Sequence, residues 1–170
     1  MKDKKIEFKI KSKANHFNDL ISREIKSKMF KKKYNLSGEY SEYGGINLFN
    51  FFSFVTFKPN TGPLVKLNIK CVSINESGSQ SKLIMEGITG FTYKMHKWFS
   101  LLFSFFSISI AIYQIAKNGI DNNFEILIMP LMGIIYYLIV DLITKFSIDS
   151  LKNRVLKILK NERIEYKKIS

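Results

Sequence analysis

The chain has 170 residues, 27 Lys+Arg against 14 Asp+Glu, a net charge of +13 and a mean hydropathy of −0.03. That average would describe one small basic domain, yet the apolar residues are concentrated between Lys97 and Lys145, with basic segments on both sides. About 100 residues are left for a soluble core, enough for one domain. The single cysteine, Cys71, excludes an internal disulfide. The first residues alternate charge with Ile6, Phe8 and Ile10 and hold no continuous apolar run, so no cleavable signal peptide is expected.

Alternation of Ile6, Phe8 and Ile10 with charged neighbours predicts a half-buried strand. The period then changes. Asn15 as N-cap, Asn18 and Asp19 in the first turn, and Phe17, Leu20, Ile21, Ile25 and Met29 along one face predict an amphipathic helix. Lys26, Lys28 and the lysines at 31–33 suit its C-terminal end. Four strands are expected next. They cover residues 34–43 before the Gly44-Gly45 break, 46–57 before a turn at 58–63, 64–74, and 82–93 after a turn at 76–80. In the third of these Val65, Leu67, Ile69 and Cys71 alternate with polar residues. The order βαββββ with short turns predicts an antiparallel β-meander or partial barrel with one packed helix, occupying residues 1–95.

Residues 98–116 carry no formal charge and reach about 28 Å as a helix, close to a bilayer's hydrocarbon thickness. Residues 126–144 form a second such run, broken only by Asp141. Residues 96–145 therefore read as a transmembrane hairpin and the whole chain as an α+β membrane protein. Lys and Arg number 18 before the first run, one in the loop and 8 after the second, which places both termini in the cytoplasm. Residues 146–170 read as a basic amphipathic helix and tail, with Ile148, Leu151, Val155, Ile158 and Leu159 on one side. This helix either caps the β-domain or lies along the inner leaflet.

Within the hairpin, Ser100, Ser104, Ser107 and Ala111 form a stripe of small residues, while Phe99, Phe103 and Phe106 share another. Pro130, Gly133, Tyr137, Asp141 and Thr144 fall on roughly one face of the second helix. The two small or polar stripes either pack together inside the hairpin or drive formation of a homo-oligomer. Asp141 is the one intramembrane acid, a costly group that is a functional candidate by default. Its expected role is structural, as a partner of Lys145 four residues on. Trp98 and Tyr113 suit the membrane interfaces, whereas Tyr136 and Tyr137 sit mid-span and need protein partners.

Catalytic patterns are scarce. His16 and His96 are the only histidines and lack metal-ligand spacing, no phosphate-cradling glycine loop or nucleophile elbow occurs, and Cys71 reads as an inert core thiol. The chain is expected to be no enzyme and to use no cofactor or metal. Its basic charge calls for an anionic partner, first of all the inner leaflet. An anionic small ligand would need Lys66, Lys70, Lys82 and Lys94 to converge on one strand face. With three arginines and no RNA-binding motif, nucleic acid is disfavoured.

The stretch from Gly38 to Phe49 reads GExxExxGxNLF, followed by the strand pair around GPLVKLNIK and SKLIMEGITGF, a two-helix hairpin and a short basic helix. This layout resembles a group of uncharacterised small bacterial two-span membrane proteins with a β-rich cytosolic domain. More weakly, it is similar to the two-helix, β-barrel membrane effectors of anti-phage nucleotide signalling, although there the helices generally precede the barrel. The resemblance implies a multi-pass protein of the bacterial inner membrane. Its cytosolic domain would bind a ligand or protein partner and couple that event to the hairpin. The alternative is an accessory or immunity protein that grips a partner membrane protein through the serine stripe.

Overall fold

The computed structural model describes residues 5–28, 33–41, 44–51, 63–74, 79–119 and 124–169. Strand β1 spans Ile6–Ile10, helix α1 Ala14–Lys26, and strands β2 to β5 span Leu36–Tyr40, Ile46–Asn50, Val65–Ser73 and Ser81–Thr89. Helix α2 runs Phe91–Asn118; a 3-10 turn at Phe124–Leu127 leads into α3, Ile128–Asn161, and β6 closes the order at Tyr166–Lys168. Among the described residues the fold is α+β, with one six-stranded sheet and three α-helices.

The sheet is antiparallel throughout, in the order β2-β3-β4-β5-β1-β6. Strands β2 to β5 form the expected meander. It does not close into a barrel: β1 joins beside β5, with Phe8 opposite Leu83, and β6 adds outside β1, with Lys9 opposite Lys167. Alternation along the strands sends Phe8, Ile10, Leu48, Leu67, Ile69, Leu83 and Met85 to one face, where they are buried. That face receives two helices rather than one. Phe17 and Ile21 of α1 and Ile148, Leu151, Val155, Ile158 and Leu159 of α3 complete the core.

Several boundaries differ from the sequence reading. Lys13, not Asn15, is the N-cap of α1, and it makes no side-chain cap bond, so Asn15 already lies in the first turn. Met29 and the lysines at 31 and 32 lie outside the described residues, as do residues 52–57 of the expected second strand of the meander and most of the turns at 58–63 and 76–80. The strand expected over 82–93 ends at Thr89, and Phe91 to Lys97 are helical. Gly90 is the reason. Its N–H bonds the Leu64 carbonyl at 2.9 Å, and a Cβ there would meet the Pro63 carbonyl oxygen at 2.1 Å, so only glycine lets the chain turn from sheet to helix at this point.

The amphipathic C-terminal helix is not a separate element. It is the second half of α3, which runs unbroken through Lys145 because no proline or glycine interrupts residues 134–161. Of the two placements considered for it, the structure shows the first: it caps the sheet. α3 ends in a Schellman turn. Arg163 adopts φ 54, its N–H bonds Lys160 O at 3.1 Å, and the Ile164 N–H bonds Leu159 O at 2.9 Å. This reversal delivers β6 to the edge of β1.

Candidate functional site

Helices α2 and α3 pack as an antiparallel pair whose seam is the serine stripe. Ser100 Oγ donates to the Gly133 carbonyl at 2.6 Å, and Ser104, Ser107 and Ala111 are buried beside it. A Cβ on Gly133 would lie 2.1 Å from Ser104 Oγ, so the backbones touch where both side chains are smallest. Pro130 is tolerated in the first turn of α3, where its missing N–H has no intrahelical partner to lose. The structure thus brings Ser100, Ser104 and Gly133 together, with Ser107 buried in line with them.

Asp141 sits where the hairpin meets the sheet. Its Oδ2 accepts from Lys97 Nζ at 2.7 Å and its Oδ1 from Tyr93 OH at 2.7 Å. Lys97 is the more enclosed partner, with its side chain 11 % exposed against 37 % for Asp141. Its ammonium also lies 2.9 Å from the centroid of the Tyr137 ring and 5.7 Å from that of Tyr93. The pairing of Asp141 with Lys145 is not formed. Lys145 is exposed, whereas the hairpin register delivers Lys97 to the carboxylate from the neighbouring helix. Tyr136 and Tyr137 do find protein partners, but not at mid-span. Tyr136 OH bonds His96 Nδ1 at 2.8 Å, and both tyrosines stand level with the start of the apolar run of α2, because Gly133 is already opposite Ser100 and Ser104.

Lys66, Lys70 and Lys82 all project from the sheet face opposite the core. Lys70 and Lys82 are diagonal neighbours across β4 and β5, but the three do not converge on one point. Lys66 lies opposite Ile88 and Lys82 opposite Val72, six residues or about 20 Å apart along β4. Two are already matched with acids: Lys66 with Glu39, and Lys82 with Glu7 at 2.7 Å. Lys82, and after it Lys5, hold the Glu7 carboxyl below its usual range. Lys94 is on α2 and not on this face.

Cys71 is half-buried on β4, and burial pushes its thiol up to about 11, as befits an unreactive packing residue. His16 is exposed on α1, and among the described residues no group of His, Cys, Asp and Glu is placed to hold a metal ion. A contact without a sequence signal is made by Arg154 on α3. Its Nη1 donates to the carbonyls of Tyr34 at 3.1 Å and Asn35 at 2.9 Å, tying the helix to the segment that enters β2. Compared with protein-family models, curated proteins and solved structures, the chain matches none of them.

Two helices are long and apolar enough to cross a membrane. Their outward surface is apolar and uncovered: Phe99, Phe105 and Phe106 are each more than 60 % exposed, and Leu131, Met132 and Leu138 more than 50 %.

Proposed function

We propose that this chain is a multi-pass, non-enzymatic protein of the bacterial inner membrane. Its basic α+β domain is held at the cytoplasmic face on a two-helix hairpin, and the domain's binding of a ligand or protein partner is passed to the hairpin through α3. The observation that carries this reading is the division of labour within α3: its first half presents apolar side chains outward, and its second half is built into the core of the sheet. A soluble fold seldom leaves so large a continuous apolar surface uncovered, and a bilayer covers it. The lysine and arginine imbalance orients the hairpin with both ends inside.

Topology labelling tests the reading. In a Cys71→Ala background, a membrane-impermeant maleimide should label Lys117→Cys but not Lys157→Cys in intact spheroplasts, and carbonate should not extract the protein. Equal labelling of both sites, or release by carbonate, would overturn it. For the alternative, an accessory or immunity protein, the serine stripe is already occupied by α3. A membrane partner would instead meet the exposed phenylalanines of α2, so co-purification of a partner that is lost on Phe99→Ala/Phe106→Ala, and kept on Ser107→Ala, would favour it.

A further inference from the structure

At the sheet end of the hairpin the exposed surface changes character within two turns. Phe91, Lys94, Met95 and Trp98 of α2 face outward, as do Lys145 and Phe146 of α3. Lys94 and Trp98 are four residues apart, so they share one side of α2 with Lys94 about 6 Å further from the apolar run. Of the acids on the two helices nearby, Asp141 is matched by Lys97, and Asp149 by Lys152 at 3.4 Å. Lys94 and Lys145 are exposed and make no ion pair among the described residues.

An indole at the rim of an apolar surface, with a free ammonium one turn beyond it, matches the depth order of a phospholipid. Acyl ester and glycerol lie at the indole, and the phosphodiester at the ammonium. Resting on the reading of α2 and α3 as spans, we propose that Lys94 and Trp98, with Lys145 on the neighbouring helix, form a collar that selects anionic phospholipid headgroups in the leaflet next to the sheet. The selection follows from charge. A zwitterionic headgroup brings its own cation and gains little from two unmatched lysines, whereas an anionic one leaves its phosphodiester free for them. The occupant is the bilayer's own lipid, not a soluble anion, because the indole and Phe146 need an acyl and glycerol surface to cover them.

Trp98 is the chain's sole tryptophan, so its fluorescence reads the collar directly. The full chain would be reconstituted in phosphatidylcholine vesicles containing brominated phosphatidylcholine or brominated phosphatidylglycerol at equal mole fraction. We expect quenching to show roughly a fivefold preference for the anionic lipid at low salt, shrinking at about 1 M salt and falling to about one in Lys94→Gln/Lys145→Gln. Equal quenching by the two lipids in the unaltered chain overturns the collar and leaves the spans standing. No quenching by either lipid overturns the spans themselves. A preference that persists in the double variant removes these lysines as its cause, and loss of the preference on adding inorganic phosphate, but not on adding sodium chloride of the same ionic strength, assigns the site to a soluble anion instead.

Discussion

Gly133 faces Ser104 across the hairpin so closely that any side chain at position 133 must displace the serine, whose Oγ lies 2.1 Å from where a Cβ would be. The same glycine's carbonyl receives the Ser100 hydroxyl. Gly133→Val should therefore splay the helices, lose that hydrogen bond and lower stability in detergent by about 2 to 4 kcal/mol. Gly133→Ala should cost less, and adding Ser104→Gly to it should restore most of the loss. Thermal unfolding in a fixed detergent measures all three variants, and a double variant no better than Gly133→Ala alone would show that the contact is slack.

The Lys97–Asp141 pair is expected to behave as a unit. Lys97→Met leaves a carboxylate with Tyr93 as its remaining side-chain donor, and Asp141→Leu leaves an enclosed ammonium held only by aromatic rings. Each single change should destabilise by roughly 2 to 4 kcal/mol, and the double change by much less than the sum, with a coupling of about 1 to 3 kcal/mol. Additive losses in the double-mutant cycle would show that the two groups do not depend on each other.

Arg163 occupies the left-handed position that ends α3, with φ 54. Glycine takes this conformation without strain, so Arg163→Gly should stabilise the domain by about 0.5 to 1 kcal/mol. Denaturant unfolding provides the comparison, and a loss of stability would mean that the arginine side chain contributes more than its backbone conformation costs.

The Glu7 carboxyl is held below its usual range by Lys82 and Lys5, so it favours the folded state most above its ordinary value of 4.5, and that contribution fades as pH falls through the lowered folded value. Stability of the unaltered chain should consequently drop more steeply below pH 4.5 than that of Glu7→Gln. Parallel slopes in the two proteins would remove Glu7 from the acid response.

With its thiol near 11 instead of the ordinary 9.0, Cys71 carries about 100-fold less thiolate near pH 8 than an unperturbed cysteine. Alkylation by iodoacetamide should be slower in the folded protein by at least that factor, and should recover in denaturant. Rapid labelling of the native protein would mean that the strand opens locally.

Much of this architecture is readable from residue spacing, and the failures have physical causes. Alternation in β1 and β4 and the apolar face from Ile148 to Leu159 translate directly into the buried layer, because both periods are properties of the backbone. The unbroken run of α3 through Lys145 was not legible. A jump in charge marks a change of surroundings, not of conformation, and nothing at residues 145–147 interrupts helical hydrogen bonding. The partner of Asp141 is not legible in the sequence, where the neighbour four residues away is visible but Lys97 arrives only through the register of the hairpin. β6 has three exposed residues and no alternating pattern, and its place is set by backbone pairing after the Schellman turn.

Gly90 and α3 join the sheet to the two helices without a linker. One connection is a single residue hydrogen-bonded to Leu64 and close against Pro63, and the other is a helix that continues unbroken into the core. A tilt of the sheet against the helices therefore has no slack segment to absorb it: it must bend α3 or reopen the Gly90 turn, close to the Lys97–Asp141 pair. On the proposed reading of α2 and α3 as spans, anything that shifts the sheet would load the pair of helices directly.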